Sequence, residues 1–310
     1  MNIDRHCATC LEIVEASRVR LCKTCKRRAY CSKNCRHLDR RTSGKGQGHK
    51  QWCKLRCGEE DIDWKICKVS GKGLGVIAKK KIPSMFRIIV EKGHNEDEEH
   101  PAINDLMPIG GTFYDKYNLN KFGSDGEDNG LYLRISRVNH SCKPNAAYMY
   151  DETFKVLILY SLTDIKIGQE ITINYQQFDD VRCKTTPEDS RALLQQKWHI
   201  TCPLDCFCYD KETAELMEQN RKNDKNLPTL SWKKALELIR ELIRNYEKLG
   251  SPLCNYAQTF SDGYLLAKSK NDLGTAKCLI EALYTINFFI LSPESEEVKR
   301  IAQLMNDIEV

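Results

Sequence analysis

The spacing of apolar residues changes along the chain and predicts two kinds of structure. Short apolar stretches separated by Gly and Pro predict β-strands at 64–69, 75–78, 86–91, 148–150, 156–162 and 171–175. From about residue 187 the apolar residues recur every three or four positions, which predicts helices. This period is clearest in two sets: Trp232, Leu236, Ile239, Ile243 and Tyr246, then Leu279, Leu283, Ile286 and Ile290. We therefore expect a multidomain α+β protein that ends in an antiparallel helical array.

Helix-start residues and hydropathy refine this expectation. Ser292 followed by Pro293 predicts the start of the last helix, with Ser as the N-cap and Pro in the first helical position. No uninterrupted apolar run approaches the roughly 18 residues that a membrane span needs. Residues 1–10 lack the apolar core of a secretory signal. We expect no membrane partner and a location in the nucleus, the cytoplasm or both.

Cysteine is concentrated in the first 57 residues. The chain has 16 cysteines, and seven of them precede residue 54. Disulfides are rare in reducing compartments, whereas thiolates and imidazoles bind Zn(II), so we favour metal binding over the alternative of a disulfide framework. Such a segment has too few apolar residues to fold without staples. Eight residues are spaced for two tetrahedral sites, with His6 and His37 as alternative ligands: Cys7, Cys10, Cys22, Cys25, Cys31, Cys35, His49 and Cys53.

The charge of the chain is unevenly distributed. The formal net charge is +5, yet residues 1–57 carry fifteen Lys and Arg against four Asp and Glu. One interpretation is a contact with nucleic acid or with an acidic partner. The other is a solvated basic surface, which we favour because aromatic residues are not interleaved with the basic ones. We predict that nucleic-acid binding is weak or absent.

Three separated motifs in the β-rich region carry candidate chemistry. They are Gly71-Lys72-Gly73-Leu74-Gly75, then Arg137-Val138-Asn139-His140-Ser141-Cys142-Lys143-Pro144-Asn145, and Gly168-Gln169-Glu170-Ile171-Thr172-Ile173-Asn174-Tyr175. Taken singly, Asn139 and His140 could cap a turn, and Tyr175 could be a half-buried strand residue. A Gly-rich turn also permits close approach of a ligand to the backbone. The joint pattern favours a functional site, because three independent accidents are improbable together.

The ligand string of the N-terminal segment resembles the MYND finger, including the Tyr30-Cys31 step and the final His49-x3-Cys53. The resemblance implies two interleaved zinc sites and a module that binds peptides or packs against a neighbour. The first site would comprise Cys7, Cys10, Cys31 and Cys35, and the second Cys22, Cys25, His49 and Cys53.

The three later motifs resemble SET-domain lysine methyltransferases, above all the group that combines SET and MYND domains. The run Gly130-Leu131-Tyr132 is similar to that group as well. The resemblance implies S-adenosyl-L-methionine as cofactor and methyl transfer to a lysine amine of a protein. Tyr175 would be the catalytic residue that orients the amine, with Tyr132 as a further residue of the lysine channel. The cofactor would be bound by Lys72, Gly73, Leu74, Asn120, Asn139, His140, Tyr175 and Trp198, with Ile200 as an alternative to Trp198.

A second cysteine cluster, Cys202-x3-Cys206-x-Cys208, resembles a post-SET zinc motif. The resemblance implies that Cys142 is its fourth ligand and that the chain binds three zinc ions. Two departures stand out: the family spacing is C-x-C-x2-C, and the familiar enzymes carry the finger after the Gly-rich motif, whereas here it comes first.

These resemblances predict four domains, and they leave two functions to compare. The domains are a MYND-type zinc finger at 1–57, a SET domain at 60–186 with an insert at 93–129, a post-SET zinc segment at 187–212, and a tetratricopeptide-like helical domain at 213–310. An enzyme is favoured over a non-catalytic MYND/SET scaffold because Asn139, His140 and Tyr175 are all present. We expect a monomer that acts on a protein lysine, with a possible peptide partner at the finger. The substrate protein and the degree of methylation stay open.

Overall fold

The computed structural model describes residues 4–41, 48–94, 100–123, 130–176, 186–227 and 230–308. Parts of the insert predicted at 93–129, namely 95–99 and 124–129, lie outside the described residues. The chain forms two compact units. The first comprises Met1–Asn139 with Tyr148–Thr172, and the second comprises His140–Ala147 with Ile173–Val310.

The N-terminal segment of the first unit consists of two small hairpins and two helices. Strands β1 (Arg5–His6) and β2 (Ile13–Val14) pair antiparallel, as do β3 (Arg20–Leu21) and β4 (Ala29–Tyr30), before α1 (Lys33–Arg41) and α2 (His49–Trp52). The core here is small and contains Cys7, Val14, Cys22 and Tyr30. Because half of that core is cysteine, apolar burial alone stabilises the segment weakly.

Two sheets form the β-rich part. The strands are β5 (Trp64–Val69), β6 (Gly73–Ala78), β7 (Arg87–Lys92), β8 (Asn139–His140), β9 (Ala146–Asp151), β10 (Val156–Ser161) and β11 (Glu170–Ile173). One sheet has the order β5-β6-β11-β8 and the other the order β7-β10-β9. The turn from β5 to β6 passes through Gly71 and Gly73, with φ angles of 74° and 77°, which favour glycine. Helix α3 (Phe113–Asn120) begins with a capping box formed by Thr112 and Asp115.

The strand predictions are confirmed with small shifts at the ends. The first predicted strand matches β5 at both ends, and β6 begins two residues earlier than predicted. The last predicted strand was expected to reach Tyr175, but β11 ends at Ile173. The physical reason is a change of partner, since the Tyr175 backbone N–H donates to a histidine ring rather than to a neighbouring strand.

The second unit is mainly helical. Its helices are α4 (Pro187–Trp198), α5 (Lys211–Asn226), α6 (Trp232–Leu249), α7 (Leu253–Ser269), α8 (Leu273–Ile290) and α9 (Glu296–Asn306). The predicted apolar stripes supply the core, in which Ile239, Ile280 and Leu283 are buried. The mixed α+β class with many C-terminal helices is therefore confirmed.

The start of α9 differs from the prediction. The N-cap is Ser295 rather than Ser292, and the helix begins at Glu296. Ser292 is buried and its Oγ accepts a hydrogen bond from the Glu294 N–H, so it stabilises a turn before the helix. Placing Glu296 and Glu297 in the first turn suits the positive end of the helix dipole. The Ser-Pro prediction was wrong because a second serine lay three residues further along.

Helix α8 has the length and composition of a membrane span. Among the described residues it alone meets both criteria, with a mean hydropathy of 1.3 over 18 residues. This helix is not an uninterrupted apolar run, because it contains Lys277 and Glu281. The core helix of a folded domain passes the same test, and Ala276, Ile280 and Leu283 are buried in the helical core. The composition of α8 is therefore weak evidence for a membrane.

Candidate active site and metal clusters

Three groups of four potential metal ligands converge in the described residues. The ligand atoms of each group all lie within 4.8 Å of one another. Their membership agrees with the sets that the resemblance implied. The groups are Cys7, Cys10, Cys31 and Cys35; Cys22, Cys25, His49 and Cys53; and Cys142, Cys202, Cys206 and Cys208. The alternative ligand His6 lies elsewhere, with its Nδ1 3.1 Å from Asp61 Oδ2.

The sulfur separations fit a tetrahedral ion better than they fit disulfides. Cys10 and Cys31 have their sulfurs 3.6 Å apart, and Cys142 and Cys202 are also 3.6 Å apart. A disulfide requires about 2.05 Å. Zinc–sulfur bonds of about 2.3 Å in a tetrahedron place the sulfurs about 3.8 Å apart. The clusters are therefore consistent with zinc sites.

Two ligands of the N-terminal groups have pKa values that are shifted toward the form that binds a metal. Burial opposes ionisation of Cys7, but hydrogen bonds from backbone N–H groups outweigh it and lower the Cys7 pKa to about 7. Burial, followed by the positive charge of Arg28, lowers the pKa of His49 to about 4. The His49 ring is therefore neutral at pH 7, which is the form that coordinates metals. Its Nε2 lies 3.4 Å from Cys25 Sγ.

The third group brings together thiols that cannot all ionise without a cation. Burial raises the pKa of the Cys142 thiol, and the neighbouring sulfurs raise it further. Burial likewise raises the pKa of Cys208 to about 12. At Cys206, burial is outweighed by hydrogen bonds from the Cys208 backbone and nearby thiols, and the pKa is lowered. A bound cation would remove this conflict, because it stabilises every thiolate.

In the first unit, the side chains of Lys72, Asn139 and Glu170 form a polar group at the Gly-rich turn. The Asn139 amide donates to Glu170 Oε1 over 2.7 Å and to the Leu74 carbonyl over 3.1 Å. Glu170 Oε2 accepts from Lys72 Nζ over 2.9 Å. A Cβ at Gly75 would lie 2.7 Å from Asn139 Nδ2 and 3.0 Å from Glu170 Oε1. Glycine at position 75 therefore makes room for the amide and the carboxylate.

In the second unit, three aromatic rings meet at Tyr175. The ring centroids of Tyr175 and His140 are 5.4 Å apart, and those of Tyr175 and Trp198 are 5.3 Å apart. The Tyr175 backbone N–H donates to His140 Nδ1 over 3.2 Å. Two motifs that lie 35 residues apart in the sequence are thus joined directly.

The same hydrogen bond fixes the tautomer of His140. Nδ1 accepts a hydrogen bond from the Tyr175 backbone N–H, so a neutral ring carries its own hydrogen on Nε2. Nε2 lies 3.3 Å from Cys142 Sγ. Hydrogen bonds of this kind orient metal ligands and adjust their charge. His140 therefore connects the four-cysteine group to Tyr175.

Two further candidates, Asn120 and Tyr132, contact other parts of the chain. The Asn120 side-chain amide donates to the carbonyls of Met107 and Lys116, over 2.6 and 2.7 Å, and these bonds stabilise the end of α3. Its cofactor contact stays a prediction. Tyr132 is buried, with its ring edge-on to Phe122 at 5.8 Å.

The structure adds two residues to which the sequence reasoning gave no role. Glu170 lies inside a quoted motif, and its pairing with Lys72 could have been inferred only from the order of the strands. Arg191 on α4 carries no motif at all. Its guanidinium lies 4.1 Å from the Tyr209 ring centroid, and it donates to the Cys208 carbonyl.

The sequence of this chain is similar to those of known SET-domain proteins. Residues 73–176 match the SET domain family model. Histone-lysine N-methyltransferase set5 of Schizosaccharomyces pombe is 28% identical over 51% of this chain and 55% of its own length. Histone-lysine N-methyltransferase SMYD3 of Homo sapiens is 29% identical over 39% of this chain and 29% of its own length. SET domain and MYND-type zinc finger protein 6 of Schizosaccharomyces pombe is 24% identical over 78% of this chain and 51% of its own length.

The chain therefore spans about half the length of two of these relatives and under a third of the other. The predicted resemblance to SET and MYND proteins is confirmed by the matched motifs and by the relatives' names. The chain carries a SET domain over residues 73–176, and its N-terminal cysteine cluster fits a MYND finger.

Proposed function

We propose that this chain is a protein-lysine N-methyltransferase that uses S-adenosyl-L-methionine. The observation that carries the proposal is the hydrogen bond from the Tyr175 backbone to His140, which joins two SET motifs at one place. The names of the relatives, which include histone-lysine N-methyltransferases, support the same reaction. The substrate class that we propose is a lysine side chain of a histone or another protein.

The cofactor, when bound, supplies an electrophilic methyl group on a sulfonium. By resemblance it is held by Lys72, Gly73, Asn139 and His140. The polar group at the Gly-rich turn suits this role, because the Glu170 carboxylate holds both Lys72 and Asn139 in defined orientations. Most of the catalytic contribution is alignment of the reacting groups.

The amine must lose its proton before it can react. A free lysine has a pKa of about 10.4, so its ammonium form dominates at neutral pH. A dry channel disfavours that charged form. The Tyr175 hydroxyl orients the neutral amine, and the adjacent Trp198 ring, whose centroid lies 5.3 Å from that of Tyr175, packs against the tyrosine.

We further propose three zinc ions, one in each group of four ligands. In the third group the ion would hold residues 202–208 against Cys142, two residues after His140 in the second motif. This is the role that the resemblance to a post-SET motif implies. The altered spacing, C-x3-C-x-C, still allows the four sulfurs to converge.

The wider biological setting is also a proposal. We propose a monomer in the nucleus, the cytoplasm or both, with a finger that binds a peptide partner and a solvated basic surface that binds nucleic acid weakly or not at all. The helices from α5 onward would form a tetratricopeptide-like domain. A bound membrane is not part of this proposal, because α8 contributes to the helical core.

The direct test is methyl transfer from labelled cofactor into a whole-cell lysate by the purified chain. We expect label in a small number of protein bands and at lysine residues when these are digested and analysed by mass spectrometry. Calorimetry with the cofactor alone separates an enzyme from a scaffold. Saturable binding together with lysine labelling supports the proposal, whereas binding without any labelling, or no binding, contradicts it.

A further inference from the structure

Helix α4 connects Tyr175 with the four-cysteine group. At its C-terminal end, the Trp198 ring packs against the Tyr175 ring. Near its N-terminal end, the Ser190 carbonyl accepts a hydrogen bond of 2.9 Å from the side chain of Gln176, which is buried. The helix is thus attached at two places to the chain that follows β11.

Arg191 attaches the same helix to the cysteine group. Its guanidinium donates to the Cys208 carbonyl and lies 4.1 Å from the centroid of the Tyr209 ring. Its Nη2 also pairs with Glu188 at 3.0 Å. The side chain is only 18% exposed, although the helix lies at the surface. Only a planar, multiply donating cation can stack and hydrogen-bond in this way at once.

Helix geometry couples Arg191 to Trp198. The two residues are seven positions apart, which is about two turns, or roughly 10 Å along the axis, on one face of the helix. Leu194, between them on that face, is 1% exposed and anchors the helix. A rigid helix therefore transmits the position of the Cys208 carbonyl to the indole ring.

These contacts form a closed chain of interactions that begins and ends at Tyr175. Tyr175 bonds to His140, His140 faces Cys142, and Cys142 belongs to the same group as Cys208. Arg191 then leads from Cys208 through α4 and Trp198 back to the Tyr175 ring. The position of Tyr175 is thus fixed from two sides, by hydrogen bonds and by an aromatic contact.

We propose that Arg191 is a positioning residue for methyl transfer, which acts by holding Trp198 against Tyr175 from the cysteine group. This inference rests on the proposed function. Arg191 touches neither the reacting lysine nor the cofactor in this scheme; its effect passes through the Cys208 carbonyl and the helix. Hydrogen-bond partners behind metal ligands have effects of this kind.

The first test is spectroscopic and needs no activity. The chain has four tryptophans, and the proposal concerns the surroundings of Trp198 alone. We expect the emission of Arg191→Met to be shifted to longer wavelength, because Trp198 gains contact with water. The shift should vanish when the substitution is made in a Trp198→Phe background. Arg191→Lys should give an intermediate shift, since it keeps the charge but not the planar fork.

The second test is kinetic. We expect kcat/KM for S-adenosylmethionine to fall about 10- to 100-fold in Arg191→Met, with partial recovery in Arg191→Lys. Zinc content and thermal unfolding of Arg191→Met should stay close to those of the unmodified chain. Arg300→Met is the matched control, because Arg300 pairs with Glu297 three residues earlier, as Arg191 does with Glu188, on a helix far along the chain.

The outcomes are distinct. A shift that persists in the Trp198→Phe background, or Arg191→Met behaving like Arg300→Met, overturns the proposal. Loss of zinc together with activity assigns Arg191 to metal retention and also overturns it. If the unmodified chain transfers no methyl group, the proposed function fails, while the emission experiment still decides whether Arg191 positions Trp198.

Discussion

The backbone N–H of Tyr175 donates to Nδ1 of His140, and the opposite ring nitrogen of His140 faces Cys142 Sγ at 3.3 Å. One imidazole therefore accepts on one side and donates on the other. The neutral tautomer is the only form that can do both, because a protonated Nδ1 could not accept. Residue 140 therefore positions the backbone of Tyr175 and also presents a neutral N–H donor to the four-cysteine group.

Substitution of His140 should separate these two roles. Asparagine can place an oxygen near the position of Nδ1, whereas alanine removes both ring nitrogens. We expect methyl-transfer activity in the order unmodified, His140→Asn, His140→Ala, with the alanine variant reduced by about 100-fold or more. Initial rates with labelled cofactor measure this order. Equal activity of the two variants would show that the hydrogen bond from Tyr175 is unimportant.

Removal of the Tyr175 hydroxyl should reduce turnover but leave the fold intact. The aromatic contacts of the ring with His140 and Trp198 do not need the oxygen. We expect Tyr175→Phe to bind cofactor normally and to lose about 100-fold in kcat, the usual cost of deleting one polar group at a reacting centre. Tyr114→Phe, at a residue that is 65% exposed, is the control. A rate in Tyr175→Phe equal to that of the control rules out the assigned role.

Gly75→Ala should act sterically on the Gly-rich turn. The added Cβ would lie 2.6 Å from Val69 Cγ2 and 2.7 Å from Asn139 Nδ2, so the amide must move. We expect cofactor affinity, measured by calorimetry, to fall about tenfold, in line with the loss of one well-placed hydrogen bond. Gly168→Ala is the steric control, because its Cβ meets nothing within 4 Å; its φ of 80° costs roughly 1–2 kcal/mol of backbone strain.

Glu170 should be sensitive to the loss of its carboxylate rather than only of its charge. Glu170→Gln keeps an acceptor for the Asn139 amide but weakens the pair with Lys72, whereas Glu170→Ala removes both contacts. We expect the KM for cofactor to rise about threefold in the first variant and about tenfold in the second. Glu152→Gln, in an exposed pair with Lys155, should leave KM unchanged. Equal effects of the two Glu170 variants would show that Asn139 gains nothing from this residue.

Metal analysis tests the third cysteine group separately from the finger. We expect three zinc ions per chain, and two in Cys206→Ser, because a site with three thiolates binds the ion far less tightly. Cys278→Ser, at an exposed cysteine outside all three groups, should retain three. A count of two in the unmodified chain, unchanged in Cys206→Ser, would remove zinc from this group.

Much of the fold could be predicted from residue spacing. Alternating and continuous apolar runs located β5 to within a residue, because strand sterics and burial act locally. The start of α9 was misplaced because Ser292 and Ser295 are equivalent as capping residues in the sequence, and both are buried in the structure. Ser292 accepts a hydrogen bond from the Glu294 N–H in the turn before the helix, a contact that residue spacing does not reveal. Strand β11 ended early since the partner of the Tyr175 N–H comes from a segment 35 residues away.

In the candidate site, too, local sequence patterns predict some features, whereas tertiary contacts decide others. Residue spacing indicated which cysteines and histidine are ligands, and their division into three groups followed from the resemblance to known zinc modules. The contacts of Glu170 and Arg191 could not, since they join side chains through strand order and helix packing that no local pattern records. The hydrogen bonds of the Asn120 amide to the backbone around α3 could not be predicted either, and its cofactor contact stays a prediction.

The interleaved ligand groups of the finger have a consequence for its synthesis. The group of Cys7 and Cys10 is complete only after Cys35 has been synthesised. The chain between Cys10 and Cys35 already contains Cys22 and Cys25, which belong to the other group. The second group closes only when Cys53 has left the ribosome. The two ligand groups are therefore interleaved along the chain, so if each group holds an ion, loss of either ion would loosen the loop that carries ligands of its neighbour.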